Sequence, residues 1–417
     1  MKILKRLRKI GFSKLTSLND ALTNIDSLIK PISFEEVKTS NSQNRILATN
    51  IKSELDIPPF DRAAMDGYAV KAEDTFGASP SNPKIIKKIG TIEIGEQTNL
   101  VLKSGEAIRI STGAVIPEGS DAVTKIEDTE IMDEEVSLYS SLVPGKNVSK
   151  KGEDIPRGTE ILNSGITIKA SHIALLSSLG IKQIKIKKQP KISVFAVGDE
   201  LVDVGNPLPT NKIYNSNSPM ISSLVKTYGG CVIRESSLKD DKEEIKNNLI
   251  NSIKDSQIII FTGGTSVGTK DFLPEILHEN GQVITHGIAI RPGSPLLIGL
   301  MEQTIIFCLP GTPVAAYICF LLIVGITIRK ILGSINIDPR AKILAQISKD
   351  VPVSSLGFIH LLRVKIERQE SSFIAIPVRL KGSGIISSLT QSDGIVEIPA
   401  NKEGLKKGEN VIVKLYP

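Results

Sequence analysis

Between Lys191 and about Gly333, strand-like apolar runs alternate with helix patterns, and this rhythm restricts the fold more than any other feature of the chain. "KISVFAV" reads as a strand and "NSNSPMISSLVKTYGG" as a helix, with Asn217 or Ser218 as cap, Pro219 in the first turn and Gly229 at the end. "CVIRESSL" reads as the next strand, and Asp240 is placed to cap "DKEEIKNNLINSIKD". "QIIIF", the helix "DFLPEILHEN", "TIIFCL" and an apolar helix after Pro313 complete the series. Strands separated by helices require crossovers, so a largely parallel sheet covered on both faces is predicted. In such a sheet the loops after the strands gather along one edge, where open α/β folds bind ligands. That edge would collect Glu200, Asp240, Asp271, the glycines of "TGGTSVG" and the start of the helix at Pro313.

Glycines let backbone N–H groups approach an oxyanion, and helix N-termini favour negative charge. Carboxylates beside the same anion would repel it unless a hard cation intervened. Mg²⁺ accepts one or two carboxylates together with phosphate oxygens, so a phosphorylated ligand bridged by Mg²⁺ satisfies both halves of the pattern. The loop also contains Gly264-Thr265-Ser266-Val267-Gly268, a G-x-S-x-G sequence. A hydrolase reading needs a histidine and an acid in register with Ser266. His278 falls inside the next helix pattern, and His286 and His360 come without supporting context. A binding loop with Ser266 as a hydrogen-bond donor fits better.

Composition narrows the function classes. Six of the 51 basic residues lie in "MKILKRLRKIGFSK", leaving 45 against 45 acids, so the body of the chain is neutral. With no tryptophan and 4% aromatic residues, there is little to stack on bases, and no nucleic-acid partner is expected. Cys231, Cys308 and Cys319 have no C-x-x-C spacing and suit free, mostly buried thiols in a reducing cytoplasm. The N-terminus lacks the apolar core and cleavage site of a signal peptide. The run "VAAYICFLLIVGITI", Val314 to Ile328, is shorter than the roughly 18 residues a membrane span needs, so a buried core helix is expected and no membrane. The length suggests roughly two to four domains.

The flanking segments carry a family resemblance. "PPFDRAAMDGYAV", "RISTGAVIPEGSDAV", "GEDI", "VGDELVDVGNPL", "NKIYNSN", "TGGTSVGTKDF", "AIRPGSPLLIG" and "LPGTPVAAYICF" follow one another in order, and "GFIHLLRVKI", "GSG" and "GIVEIPA" close the chain. From about Pro58 onward the sequence resembles the molybdopterin molybdenumtransferases, the MoeA and gephyrin E-domain family. The resemblance implies an α/β and β multidomain fold in four parts. These are an extended linking and dimerisation segment (1–60 plus 152–190), an inserted β-rich domain (61–151), a central α/β molybdopterin-binding domain (191–334) and a C-terminal β-barrel (335–417). It further implies a cytoplasmic, Mg²⁺-dependent homodimer that inserts molybdate into adenylated molybdopterin and releases AMP. A molybdopterin adenylyltransferase would act upstream.

Carried over by motif, Asp66, Thr112 and Asp154 face the active-site cleft from the β-rich side, and Glu200, Asp240 and Asp271 from the α/β side. Glu200, Asp240 and Asp271 would bind Mg²⁺; Asp66, Asp271 and Glu200 would be catalytic. Arg291 and Arg363 would hold molybdate or phosphate oxygens, Gly263, Gly264, Ser266 and Gly268 the phosphate end of the pterin, and Ser294, Gly311 and Ser383 complete the set. The chain departs from the family at Ser294, which replaces a lysine, at Ala63, which replaces a serine, and at Gly311-Thr312-Pro313-Val314-Ala315, where the family has "GNPVS". The alternatives are adenylation of molybdopterin with ATP, a preference for tungstate, and a non-enzymatic scaffold of the gephyrin type.

Overall fold

A computed structural model describes residues 15–264, 272–370 and 372–417. The central domain contains β1 (Lys191–Val197), α1 (Asn217–Thr227), β2 (Cys231–Leu238), α2 (Lys242–Ile253), β3 (Ile258–Thr262), α3 (Phe272–Asn280), β4 (Gln282–His286), β5 (Leu297–Met301), β6 (Thr304–Leu309) and α4 (Pro313–Ile331). The sheet order is β2–β1–β3–β6–β5–β4. The first four strands are parallel, whereas β5 runs antiparallel to both β6 and β4. Every residue of β3 and β6 is buried, which is why they read as unbroken apolar runs. The β5–β6 hairpin was not visible in the sequence, because its turn uses Glu302 at φ 54° rather than a glycine or asparagine.

Residue parity divides the core. Ile192, Val194, Ile258, Ile260 and Phe307 face α1 and α4, while Phe195, Ile259, Phe261 and Ile306 face α2 and α3. Helix α4 is longer than its most apolar run suggested. It spans 19 residues, with a π-helical turn over Phe320–Val324, and among the described residues it is the one helix long and apolar enough to cross a membrane. Its most apolar window is 89% buried against the sheet, α1 and the N-terminal helix Leu18–Asp26, as a core helix should be.

The C-terminal strands β7 (Lys342–Ile347), β8 (Ile359–Gln369), β9 (Ser372–Arg379), β10 (Gly394–Ile398) and β11 (Asn410–Leu415) follow the order β8–β9–β7–β11–β10. Strand β10 pairs back onto β8, which closes the barrel. The barrel is hooked to the central domain where Ile290–Arg291 pairs with Ile359 and His360, and where Tyr317 of α4 meets Tyr416 edge-on at 5.2 Å.

Upstream, strands at 67–70, 84–92, 106–110, 122–125, 129–132 and 135–138 make a six-stranded sheet. The segments on either side of this sheet pair with each other, Phe34–Lys38 with Gln183–Lys187 and Ile51–Lys52 with Glu160–Leu162. The β-rich unit is therefore an excursion from a linking segment built from two separated stretches of chain.

Candidate active site

The carboxyl ends of β1, β2, β3 and β6 open into a cleft of about 830 Å³. Its lining comes from the loops after these strands and includes Glu200, Asp240, Gly263, Gly264, Gly311 and Pro313, with Ser294 and Ser383 from elsewhere in the chain. Gly263 allows the loops to approach. Its φ is +92°, and a Cβ there would lie 2.3 Å from the Val197 carbonyl oxygen. The Gly311 backbone lies against Gly263, less tightly, since a Cβ on Gly311 would meet the Gly263 Cα at 3.3 Å.

The acids are sorted by hydrogen bonding. Asp241, not Asp240, caps α2, accepting from the Glu244 N–H at 2.8 Å. Asp240 is thereby released to the cleft, where its Oδ2 accepts from the Asp199 N–H at 3.2 Å and its own N–H donates to Asp199 Oδ1 at 3.1 Å. These reciprocal bonds lock the loop after β1 to the loop after β2. The Asp241→Ala chain is expected to lose about 1 kcal/mol of stability with its cap and to keep its activity. Chemical denaturation beside a turnover assay checks this; an activity loss with unchanged stability would reverse the assignment of the two acids.

Glu200 is exposed, and its carboxylate folds over Gly198, so that Oε2 lies 2.6 Å from where a Gly198 Cβ would stand. Beyond it a two-stranded ribbon contributes to the lining, where Leu201–Val202 pairs in parallel with Ile213–Tyr214. Ile213 and Tyr214 line the cleft and remain about half exposed.

The barrel supplies another wall. The Ser383 carbonyl accepts from the Val314 N–H at 3.0 Å, so part of the α4 terminus that the sequence offered to an anion is occupied by this loop. Arg363 is fully buried and donates from Nη2 to the Lys381 carbonyl at 2.9 Å, fixing the same loop. Its Nε and Nη1 have no partner among the described residues. Burial pulls its pKa below the usual guanidinium value, opposed by the nearby Tyr416. Ser294 lies in the lining and donates to the Ile290 carbonyl at 2.6 Å. Arg291 does not line the cleft. It stacks 4.2 Å from the Phe358 ring centre and donates to Ser354 at 3.3 Å, held there by the strand pairing of Ile290–Arg291 with the barrel.

Asp66 and Thr112 come together in the β-rich domain. The Asp66 carboxylate accepts from the Thr112 N–H at 2.7 Å and from its hydroxyl at 2.8 Å, and these bonds, the backbone one first, hold its pKa below the ordinary carboxylate range. Asp154 is exposed on the neighbouring turn, its N–H bonded to the Ile57 carbonyl at 3.1 Å. None of Asp66, Thr112 and Asp154 lines the cleft of its own chain. Ser266, Gly268 and Asp271 lie outside the described residues. Among the described residues no group of three or more His, Cys, Asp or Glu stands ready to hold a metal; Glu200 and Asp240 are the two carboxylates in the cleft lining. Sequence reasoning missed Asn217, Thr262, Ile213 and Tyr214. Thr262, a polar residue ending an apolar strand at a glycine loop, was the one signal available.

Comparison with known proteins gives a consistent picture. Residues 16–180 match the MoeA N-terminal region (domain I and II), 193–330 a "Probable molybdopterin binding domain" and 352–416 the MoeA C-terminal region (domain IV). A Methanocaldococcus jannaschii chain assigned by name to molybdopterin biosynthesis is 37% identical over 420 residues, covering 99% of this chain and 97% of that one. The molybdopterin molybdenumtransferase of Bacillus subtilis is 32% identical over 404 residues, covering 95% and 93%. Among solved structures, a molybdopterin biosynthesis MoeA protein from Pyrococcus horikoshii superimposes with a TM-score of 0.85 at 33% identity, covering 97% of this chain and all of that one.

Proposed function

Because this chain belongs to the MoeA family, a molybdenumtransferase family of molybdenum-cofactor biosynthesis, we propose that the cleft at the carboxyl ends of β1, β2, β3 and β6 is where molybdenum from molybdate enters adenylated molybdopterin and AMP leaves. The observation that carries this reading is the meeting of Glu200 and Asp240 with the Gly263–Gly264 backbone in one cleft. Two carboxylates beside an oxyanion seat fit a hard dication that keeps some of its waters. Glu200 and Asp240, with Asp271, would hold Mg²⁺, which when bound offsets charge on phosphate and oxyanion oxygens.

The chain's own residues do the positioning. Gly263 and Gly264 let the phosphate end approach the backbone. The Asp199–Asp240 bonds keep the two acidic loops at fixed separation. Arg363 lies outside the cleft lining and holds the Ser383 loop beside the cleft through its bond to the Lys381 carbonyl. The test is purified protein with adenylated molybdopterin, Mg²⁺ and either molybdate or tungstate, measuring AMP release and cofactor formation. Formation of the AMP ester from molybdopterin and ATP without a second protein would replace insertion by adenylation.

The exposed Asp66, Thr112 and Asp154 are absent from their own chain's cleft, which supports a homodimer in which one subunit's β-rich domain faces its partner's cleft. Mixing two inactive chains, Glu200→Gln and Asp66→Asn, should then restore about a quarter of the sites, since half of the dimers are mixed and each mixed dimer has one intact site. No recovery after verified subunit exchange would place all the acids in a one-chain site. The absence of a disulfide among Cys231, Cys308 and Cys319 suits the cytoplasm as the compartment, and an upstream molybdopterin adenylyltransferase is the proposed source of substrate.

A further inference from the structure

Thr262 is 1% exposed and Asn217 is 9% exposed, and both line the cleft. Thr262 Oγ1 and Asn217 Oδ1 have no hydrogen-bond partner among the described residues, and no other residue of the cleft lining has a buried side-chain polar atom in that state. Buried polar groups are nearly always paired, so two orphans at one site call for a cause. The neighbouring Asn215 shows the ordinary condition. Its amide donates to Ser218 and Ser237 and its carbonyl accepts from the Ser218 N–H.

The two orphans lie on the same side of the sheet. Thr262 ends β3 with the parity of Ile258 and Ile260, on the α1 and α4 face of the sheet. Asn217 begins α1 on that face. Its Nδ2 donates to the Gly311 carbonyl at 2.8 Å, and Gly311 lies against Gly263, the residue after Thr262. That bond also fixes the amide orientation, because only the N–H side can face a carbonyl. Asn217 is therefore left with a bare acceptor and Thr262 with a hydroxyl that can donate or accept.

From this pairing we infer that Asn217 and Thr262 recognise the hydrogen-bonding edge of the substrate's amino-substituted nitrogen heterocycle. An exocyclic amino group meets the Asn217 acceptor, and an adjacent ring nitrogen or carbonyl meets the Thr262 hydroxyl. The inference rests on the insertase reading, under which the cleft takes a ligand carrying two such rings, adenine and pterin. Discrimination at such an edge is steep, because a ligand lacking the group leaves the buried partners unpaired. Neither residue takes part in the phosphate or metal chemistry assigned to Glu200, Asp240 and Gly263.

Thr262→Val is the deciding variant. It keeps the shape and strand preference of the side chain and removes only the hydroxyl. If the hydroxyl contacts the ligand, affinity for adenylated molybdopterin should fall about tenfold with thermal stability equal to or above wild type, and Thr262→Ser should bind within about threefold of wild type. Competition with AMP and with free pterin (2-amino-4-oxopteridine) locates the contact. A Thr262→Val deficit confined to AMP assigns the seat to adenine, and one confined to pterin assigns it to the pterin. Affinity unchanged for all three ligands overturns the inference while leaving the insertase reading intact. Wild-type protein that fails to bind adenylated molybdopterin would overturn both.

Discussion

Glu200→Gln protein is expected to bind adenylated molybdopterin and yet release AMP about 100-fold or more slowly, with an unchanged melting profile. The size follows from losing one charge-stabilising group at a site where charge develops, which typically costs two to three orders of magnitude in turnover. The unchanged stability follows from the position: the side chain is exposed at the lip of the cleft, and glutamine preserves its volume. Separate measurement of affinity and turnover makes the result diagnostic, since an interaction specific to the transition state lowers turnover without a matching loss of binding. Turnover within a few-fold of wild type would remove Glu200 from the chemistry. Asp240 then could not hold a dication with its help, and the acidic half of the cleft would need another purpose.

Gly263→Ala should damage the protein in a different way. The new methyl group would stand 2.3 Å from the Val197 carbonyl oxygen, and the backbone would have to keep a φ of +92° that alanine rarely adopts. Strain and overpacking together are worth about 3 kcal/mol. The loss should fall on the central domain, because β1 and β3 would have to separate where the glycine loop leaves the sheet. Gly264→Ala is the control. Its φ is +63°, within the left-handed region, and its nearest contact is the flexible Leu273 side chain at 3.4 Å, so about 1 kcal/mol is expected. Thermal scans that follow the central domain, with ligand binding measured alongside, would compare the pair. Equal stability for the two variants would mean that the close approach of Gly263 to β1 is not what holds the loop.

Features written in local chemistry were legible in the sequence. The parallel strands announced themselves through buried runs such as "QIIIF" and "TIIFCL", and the gathering of Glu200, Asp240 and the glycines at one edge followed from strand direction alone. Features set by competition between neighbours were not. Asp240 and Asp241 are equivalent as letters, and only the geometry of the α2 entrance decides which one caps. Arg291 carries the charge an oxyanion would attract, but its backbone is a barrel strand's partner and its guanidinium stacks on Phe358 from across a domain boundary. Strand β10, "GIVEI", was invisible as the closing strand because closure depends on its pairing with β8, a relation no periodicity encodes. Thr262 and Asn217 were passed over because a missing partner shows only after every neighbour is placed.

Helix α4 has a consequence for how this protein is made. A segment of that length and greasiness would be attractive to the machinery that inserts membrane proteins if it emerged from the ribosome alone. It does not emerge alone. The strands and α1, which form most of its sleeve, span residues 191–309 and precede it in the chain, while Leu361, Leu389 and Ile395 of the barrel complete the cluster afterwards. Order along the gene thus serves as a safeguard during translation: the chain prepares most of the shelter first and delivers the oiliest element into it afterwards.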